Sequence, residues 1–162
     1  MKKNKGFSLV ELIIVIAIMA ILAAAIAPAL IRYIDKSRKA DDIAAAETIN
    51  TAIQTSMSNE DAYDEIMGSM NGQILSKTAA GSKFPDDTDL QAFIDEVNSN
   101  LAGQTPKLKY RKDVTAKGLG SGTFTPGGWA IAISNSKPVV YITDSTGAKG
   151  VQIQPSIDSQ YK

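Results

Sequence analysis

The chain has 162 residues, and its 17 lysines and arginines are balanced by 17 aspartates and glutamates, so the formal net charge is zero. This length fits about one domain, and the balanced charge argues against a dedicated nucleic-acid binder, which would be strongly basic. The chain has no histidine and no cysteine. Disulfides, thiolate or imidazole zinc sites, cysteine nucleophiles and Ser-His-Asp triads are therefore excluded.

The first thirty residues differ sharply from the rest of the chain. Residues 1–6 are short and basic, with three lysines, and they precede an apolar run over residues 7–31. That run holds one charged residue, Glu11. As a helix it would be about 38 Å long, which is enough to cross a hydrocarbon core of ~30 Å. The sequence therefore predicts a transmembrane helix over residues 7–31.

Two residues within this apolar run need an explanation. An ionised carboxylate costs roughly 2.5–3.5 kcal/mol near the bilayer centre, so Glu11 is either an interfacial residue or a charge with a partner. A partner is favoured, because acids inside membrane helices usually have a function. Pro28 removes the helix bond to the Ala24 carbonyl, and this costs about 3 kcal/mol in an ordinary helix interior. A tolerated kink in a membrane helix is the simpler explanation of Pro28.

An ordinary secretory signal peptide is the main alternative for this segment, because residues 23–25 and 25–27 offer small side chains at cleavage-site spacing. The apolar run is longer than a usual h-region of about 7–15 residues, and it contains Glu11, so a retained helix is favoured. The direction of insertion stays open. Basic residues flank the run on both sides in similar number, and the positive-inside rule is close to a tie.

The helical pattern continues after residue 31 but becomes amphipathic. One face carries apolar residues every three to four positions, and polar residues, Asp41 and Asp42 among them, are assigned to the other faces. We predict one helix of about fifty residues, from near Phe7 to near Met57, whose second half packs on a sheet. The predicted apolar face consists of Ile43, Ala46, Ile49, Ile53 and Met57.

Residues 58–106 are predicted to form an insertion with local helices. The acidic start of residues 60–71 suits a helix N-terminus. Residues 88–91, TDLQ, have the spacing of a capping box, and apolar residues follow at helical spacing, so a second helix is predicted there. Gly103 and Pro106 are expected to end it.

The apolar period changes to two after Pro106. Strands are predicted at residues 107–111, 129–133, 139–143 and 151–154, with turns at 135–138 and 145–150 and a glycine-rich loop at 118–128. We therefore predict an α+β fold, in which an antiparallel sheet of three or four strands over residues 107–154 packs on the long helix. Residues 32–162 would form the head, ending in a short tail.

Four groups of residues could suggest ligands, but each has a simpler explanation. Asp86, Asp87 and Asp89 lack the glycine and terminal glutamate of an EF-hand, so a solvated helix start is favoured over calcium. Asp144 is expected to hydrogen-bond its own turn. The basic residues between 107 and 117 fit a solvated edge strand better than a DNA site, and the glycines at 118, 120 and 122 lack the Gly-Lys-Ser/Thr of a phosphate loop.

Residues 5–12, KGFSLVEL, resemble the processing motif of the type IV pilins and their pseudopilin relatives. Gly6, Phe7, Glu11 and Pro28 all lie at the family's offsets, and the resemblance covers roughly residues 1–55. It implies that residues 1–6 are a leader that a prepilin peptidase removes after Gly6. The new Phe7 amine would then be methylated to N-methylphenylalanine.

The same resemblance implies how subunits would assemble and how the chain folds. Glu11 would pair with the Phe7 amine of a neighbouring subunit, and the helix would lose its regularity at Pro28 in the filament. The implied fold is that of a type IV pilin, with the long helix as spine and the sheet as head. The lack of cysteine departs from the many pilins that close a C-terminal loop with a disulfide, and it favours a Gram-positive source.

The function implied by the resemblance is structural and not enzymatic. The chain would be a subunit of a type IV pilus, more specifically the major pilin, in a fimbrium used for adhesion, twitching motility or DNA uptake. Its implied partners are other copies of itself, the prepilin peptidase, the pilus assembly platform and the membrane, with no cofactor, metal or specific nucleic acid. The head would lie outside the cytoplasmic membrane before assembly and on the cell surface afterwards.

Two alternatives to the pilus subunit stay open. The first is a major pseudopilin of a type II secretion or competence machine, in which the same polymer is short. The second is a secreted binding protein that is anchored by its signal segment. An exported chain that begins at Phe7 would exclude the second alternative, since cleavage after Gly6 retains the whole apolar helix.

Overall fold

A helix of 48 residues, α1 (Leu9–Ser56), dominates the first third of the chain. The computed structural model describes residues 7–67 and 71–161, so the leader predicted at residues 1–6, with Gly6, lies outside the described residues. The prediction of one helix from near Phe7 to near Met57 is confirmed. The helix continues through Pro28.

A curled antiparallel sheet follows α1, so the predicted α+β, pilin-like architecture is confirmed. The described elements after α1 are α2 (Glu60–Ile66), β1 (Asn71–Ala79), α3 (Gln91–Asn100), β2 (Val114–Thr115), β3 (Gly118–Leu119), β4 (Thr123–Phe124), β5 (Gly128–Ser134), β6 (Lys137–Thr143), β7 (Gly150–Gln154) and a 3₁₀ turn (Ser159–Tyr161). Five of these strands form one sheet in the order β1-β5-β6-β7-β3, and β2 and β4 form a separate two-stranded ribbon.

The chain divides into two compact units, one ending at Ser37 and the other beginning at Arg38. The described part of the first unit is helical from Leu9 onward, and every side chain over residues 7–34 is exposed. Among the described residues, α1 is one helix that is long and apolar enough to cross a membrane.

The second unit has a hydrophobic core between the sheet and one face of α1. Ala46, Ile49 and Ile53 of the predicted apolar face are buried there, and Ile43 and Met57 pack at its edge. The sheet contributes the alternate residues of its central strands, because successive side chains of a strand point to opposite faces. These core residues include Trp129, Ile131, Ile133, Val140, Ile142, Val151 and Ile153.

The segment 58–106 contains the predicted local helices, α2 and α3, but also a strand, β1, that was not predicted. α2 ends at Ile66, and β1 is an edge strand of the main sheet that pairs with β5. With β1 and β3, the main sheet has five strands among the described residues, where three or four were predicted. Two register shifts, between Asn71 and Ile74 and between Ile74 and Ser76, interrupt β1. These irregularities remove the clean alternation by which a strand is recognised in a sequence.

Residues 107–111 have no regular secondary structure and do not form the predicted strand. Their alternation does predict burial correctly, since Leu108 and Tyr110 are buried while the residues at 107, 109 and 111 are exposed. The backbone N–H groups of Lys109 and Tyr110 donate to the Asp42 side chain instead of to a neighbouring strand. Asp42 itself is fully buried, so its assignment to a polar face of α1 is wrong.

The N-terminus of α3 is capped in a different way from the predicted box at residues 88–91. The N-cap residue is Leu90, which makes no side-chain capping bond. The Glu65 carboxylate of α2 supplies the acceptors instead. Its Oε1 accepts the backbone N–H of Ala92 at 3.1 Å, and its Oε2 accepts that of Phe93 at 2.9 Å. A carboxylate at a helix N-terminus stabilises the exposed N–H groups and the helix dipole, and here it also joins two helices.

The strands predicted at residues 129–133, 139–143 and 151–154 are confirmed as β5, β6 and β7. β5 and β6 form a hairpin closed by Asn135 and Ser136, which both have positive φ, at 51° and 58°. This geometry is that of the two-residue turns that match the twist of a hairpin. The predicted glycine-rich loop at 118–128 contains the short strands β3 and β4.

Candidate functional site

The start of α1 is closed by a reciprocal pair of hydrogen bonds. The Ser8 backbone N–H donates to Glu11 Oε2 at 2.8 Å, and the Ser8 hydroxyl oxygen accepts the N–H of Val10 at 3.3 Å. A serine followed three residues later by a glutamate, ahead of an apolar run, is the pattern of a capping box. The residues SLVE have this pattern, but Glu11 was predicted only as an interfacial or paired charge, and its local role as a cap was not predicted.

Glu11 is therefore placed at the end of the apolar helix and held in a fixed direction by its own chain. Its second oxygen, Oε1, makes no hydrogen bond to the described residues. Phe7 precedes the cap directly and is 88% exposed. One carboxylate oxygen thus serves the helix start, while the other is open to a cation.

Pro28 lies inside α1, and α1 has no break there. The Arg32 Nε–H donates to the Pro28 carbonyl oxygen at 3.3 Å. Proline lacks the N–H that would bond the carbonyl four residues earlier, so this position is a weak point of the helix. A helix break at Pro28 is absent from this single chain. The loss of helix expected in a filament stays a prediction.

A second cluster joins α1 to the C-terminal part of the head. Asp42 Oδ1 accepts the Lys109 N–H at 2.7 Å, and Oδ2 accepts the Tyr110 N–H at 3.1 Å. Burial raises the pKa of the Asp42 carboxyl above its ordinary value, although the two backbone donors oppose this effect. Both oxygens thus hold one extended segment on the helix.

Lys39 connects the same region to the end of the chain. Its Nζ donates to the Gln160 carbonyl oxygen and lies 5.0 Å from the ring centroid of Tyr110 and 5.8 Å from that of Tyr161. The two rings meet edge to face, with centroids 5.9 Å apart. We call Lys39, Asp42, Tyr110, Gln160 and Tyr161 the clasp, because these residues tie α1, the segment after Pro106 and the C-terminal turn together.

The end of the clasp is also fixed to the short strand β2. The Gln160 side chain accepts the Thr115 N–H at 2.8 Å and donates to the Thr115 carbonyl at 3.0 Å. Tyr161 is 1% exposed, and its hydroxyl has no hydrogen-bond partner among the described residues. Burial raises the pKa of this phenol well above its ordinary value, and the nearby Asp42 adds to the effect.

The acidic residues considered for calcium do not come together as a metal site. Asp86 pairs with Lys83 at 2.8 Å, and Asp87 accepts the backbone N–H of Asp89 at 3.0 Å. Within residues 7–67 and 71–161, no group of three or more potential ligands could hold a metal ion.

Asp144 bonds its own turn, as predicted. Its Oδ1 accepts the N–H groups of Thr146 and Ala148, both at 3.0 Å, and the Thr146 hydroxyl at 2.7 Å. Burial works against these hydrogen bonds, but they outweigh it and lower the pKa of Asp144.

The basic residues between 107 and 117 are partly neutralised within the chain. Lys109 pairs with Asp41 at 2.9 Å, and Lys117 pairs with Asp158 at 3.1 Å. These pairs reduce the charge that a nucleic acid would meet. A dedicated nucleic-acid surface is thus poorly supported at this position.

Fold and site together define a class of protein: an α+β head preceded by an exposed apolar helix whose start is capped by a carboxylate. A family model described as the prokaryotic N-terminal methylation motif matches residues 1–27. This match includes the predicted cleavage site and Glu11 but ends just before Pro28.

A fimbrial protein of Moraxella nonliquefaciens is 42% identical to this chain over 59 residues, which are 36% of the chain and 38% of the relative. The matched region thus spans little more than a third of that relative's length. No solved structure matches the chain. These findings confirm the resemblance drawn from KGFSLVEL, and the N-terminal part of the chain is similar to that of the type IV pilins.

Proposed function

We propose that the chain is the major structural subunit of a type IV pilus, which polymerises through its N-terminal helix. The observation that carries this proposal is the uncovered apolar surface over residues 7–34. Phe7, Leu9 and Ile21 are each at least 70% exposed. A continuous apolar surface of this size requires a bilayer or protein neighbours, because water disfavours it.

The two environments would follow one another. Before assembly, the apolar half of α1 spans the cytoplasmic membrane, with the head on the outer side. After the prepilin peptidase cleaves beyond Gly6, the assembly platform transfers the helix into a bundle of identical helices. The role is mechanical and not catalytic, and adhesion, motility and DNA uptake are the uses that such a filament serves.

Glu11 would give this bundle its register. A carboxylate without a partner is strongly unfavourable in an apolar environment, and the methylated amine of Phe7 on a neighbouring subunit is a matching cation. Glu11 Oε1 is open to this cation, while Oε2 keeps its bond to Ser8. A subunit out of register would leave both charges buried and unpaired, so the pair would favour one axial spacing.

The proposal is tested by expressing Glu11→Ala in the native host and measuring three quantities: the N-terminal sequence of the exported chain, the amount of cleaved chain in the membrane, and the filaments sheared from the surface. The exported chain should begin Phe-Ser-Leu with a methylated first residue. Cleaved Glu11→Ala protein should accumulate in the membrane while sheared filaments are lost.

Glu47→Ala is the matched control, since Glu47 is an exposed acid on the same helix. It should assemble normally. A chain that begins at or beyond Ala24 would contradict the proposal, and normal filaments from Glu11→Ala would contradict the role of Glu11 in assembly. Electron microscopy separates the pilus from the pseudopilus, because long surface filaments made by the wild type support the former and their absence supports the latter.

A further inference from the structure

The main sheet has one face in the core and a second face whose residues follow from the strand register. In the β5–β6 hairpin, Ser134 pairs with Lys137, Ala132 with Val139, and Ala130 with Tyr141. Paired residues of antiparallel strands share a face, and the alternate residues of both strands, such as Ile131 and Val140, lie in the core. Lys137, Val139 and Tyr141 are therefore on the face that points away from the core.

A pocket of about 300 Å³ opens on this outer face, next to the turn of the hairpin. Apolar parts of its wall come from Val139, Pro155 and the half-buried ring of Tyr141. Asn135, Lys137 and Gln152, which have polar side chains, also line the pocket. Gln152 is the cross-strand neighbour of Tyr141 on β7, so the pocket reaches across three strands.

The polar groups of this pocket retain their capacity to bind a ligand. The side chains of Asn135, Lys137 and Tyr141 make no hydrogen bond or ion pair within the described part of the chain. Gln152 uses only its Nε2, which donates to Ser156 at 3.3 Å, so its carbonyl oxygen is open.

Three charged groups in other surface pockets are already engaged. Lys117 pairs with Asp158, Lys149 donates to the Thr123 carbonyl oxygen, and Asp144 is bonded within its own turn. Lys137 differs from these three groups, because it lines a pocket and has no counter-charge within residues 7–67 and 71–161.

The composition of the pocket indicates the chemistry of its ligand. An aromatic wall suits the C–H face of a sugar ring, and amide and phenol groups match the hydroxyls around its edge. A single unpaired ammonium favours a ligand with one negative charge, because charge-assisted hydrogen bonds are about twice as strong as neutral ones. The volume is at the lower end of the range for small-molecule sites, which suits one or two sugar rings.

The pocket is also largely formed before any ligand arrives. Asn135 lies in the tight hairpin turn with φ of 51°, and the flanking β5–β6 ladder runs without interruption from Gly128 to Ser134. The hairpin holds the backbone that carries Asn135, Lys137 and Tyr141, so a ligand would have to order side chains but not backbone, which limits the entropic cost of binding.

We infer that this pocket binds an acidic pyranose, a sugar of the uronic or sialic acid class. The Lys137 ammonium pairs with the sugar carboxylate, the Tyr141 ring packs against the sugar ring, and the Asn135 and Gln152 amides bond its hydroxyls. This inference goes beyond the proposed filament and does not depend on polymerisation, since all the groups belong to one head.

The test uses the full chain purified in detergent, with D-glucuronate as the probe. Two control ligands separate the parts of this probe. D-glucose has the sugar ring without the carboxylate, and acetate has the carboxylate without the sugar ring. Saturation-transfer NMR and calorimetry should show millimolar binding of glucuronate, weaker binding of glucose and no measurable binding of acetate. Equal binding of glucuronate and acetate would overturn the inference, because it would show a bare charge contact.

Three variants locate the binding. Lys137→Gln should weaken glucuronate binding by about tenfold and leave glucose binding unchanged, because only the charge-assisted bond is lost. Asn135→Gly keeps the turn, since glycine accepts positive φ, and should weaken both sugars. Tyr141→Phe should do the same through loss of the hydroxyl.

Lys149→Gln, a lysine outside this pocket, is the matched control and should bind as the wild type does. Circular dichroism of each variant checks that the fold is retained. Unchanged glucuronate binding by Lys137→Gln, or no binding by the wild type, would refute the proposed site.

Discussion

Asp42 and Tyr110 are 68 residues apart in the chain, and the Asp42 carboxylate accepts the Tyr110 backbone N–H at 3.1 Å. The other oxygen of this carboxylate accepts the N–H of Lys109. A segment that has no strand partner thus satisfies two of its backbone donors on a side chain of α1. Buried N–H groups nearly always need such a partner, so Asp42 replaces the missing strand.

Removal of this carboxylate should destabilise the head. In Asp42→Ala, two backbone N–H groups lose a charged acceptor, and we expect the free energy of unfolding to fall by about 2–4 kcal/mol. Chemical denaturation of the full chain in detergent, followed by tryptophan fluorescence of Trp129, measures the change.

Asp41→Ala is the matched control for this prediction. Asp41 makes only an exposed ion pair with Lys109, and loss of such a pair costs about 1 kcal/mol or less. Equal effects of the two substitutions would show that the buried bonds of Asp42 contribute no more than a surface pair.

The pKa of Asp42 predicts a pH dependence of opposite sign to that of most paired carboxylates. Its pKa is raised in the folded chain by burial, so the folded state binds a proton more readily than the unfolded state. As the pH falls through the raised pKa towards 3.8, this group therefore adds stability to the fold. The pKa values of Asp144 and Asp158 are lowered in the folded chain. The stability that these two carboxylates contribute to the fold is therefore lost as the pH falls into the acidic range.

Comparison with Asp42→Asn isolates the contribution of this one carboxyl, because the other acids are common to both proteins. The stability of the wild type minus that of Asp42→Asn should rise as the pH falls from about 7 to about 4. Denaturation midpoints at several pH values measure this difference. A difference that shrinks on acidification would mean that the backbone hydrogen bonds outweigh the burial of Asp42.

Tyr161 at the end of the clasp offers a separate test of packing. Tyr161→Ala removes a fully buried ring between Lys39 and Tyr110, and we expect a loss of about 3–5 kcal/mol. Tyr161→Phe removes only a buried hydroxyl that has no partner among the described residues, so its stability should be equal to or above that of the wild type. A large loss in Tyr161→Phe would show that the hydroxyl has a partner, such as a bound water.

The sequence predicted those features that depend on local patterns. Phe7 and Glu11 belong to a specific motif, so the start of the apolar helix could be predicted. Trp129, Ile131 and Ile133 lie at alternate positions, so the central strands could be predicted as well. The roles of Asp42 and Glu65 could not be predicted, because each side chain accepts hydrogen bonds from backbone groups far along the chain. Nothing in the neighbouring residues indicates those partners. The edge strand β1 was missed for a related reason, since its two register shifts obscure the alternation.

Glu11 has two roles that different substitutions can separate. Glu11→Ala loses both the cap on Ser8 and the negative charge. Glu11→Gln keeps a side-chain oxygen that can accept the Ser8 N–H, since glutamine also serves in capping boxes, but it cannot neutralise an amine. If the charge drives assembly, Glu11→Gln should lose most sheared filaments while its membrane-bound chain is cleaved normally. Its defect should be milder than that of Glu11→Ala, because an amide can still bond the amine.

Ser8→Ala supplies the complementary variant, because it removes the hydroxyl that accepts the Val10 N–H and retains the charge of Glu11. Loss of an N-cap side chain costs about 0.5–2 kcal/mol of helix stability, whereas an unpaired buried charge costs about 3–5 kcal/mol. Filament yield per cleaved subunit, measured by immunoblots of sheared and membrane fractions, should therefore fall only slightly in Ser8→Ala. The reverse order, with Ser8→Ala defective and Glu11→Gln normal, would show that the cap on α1 governs assembly and that the proposed charge pair does not.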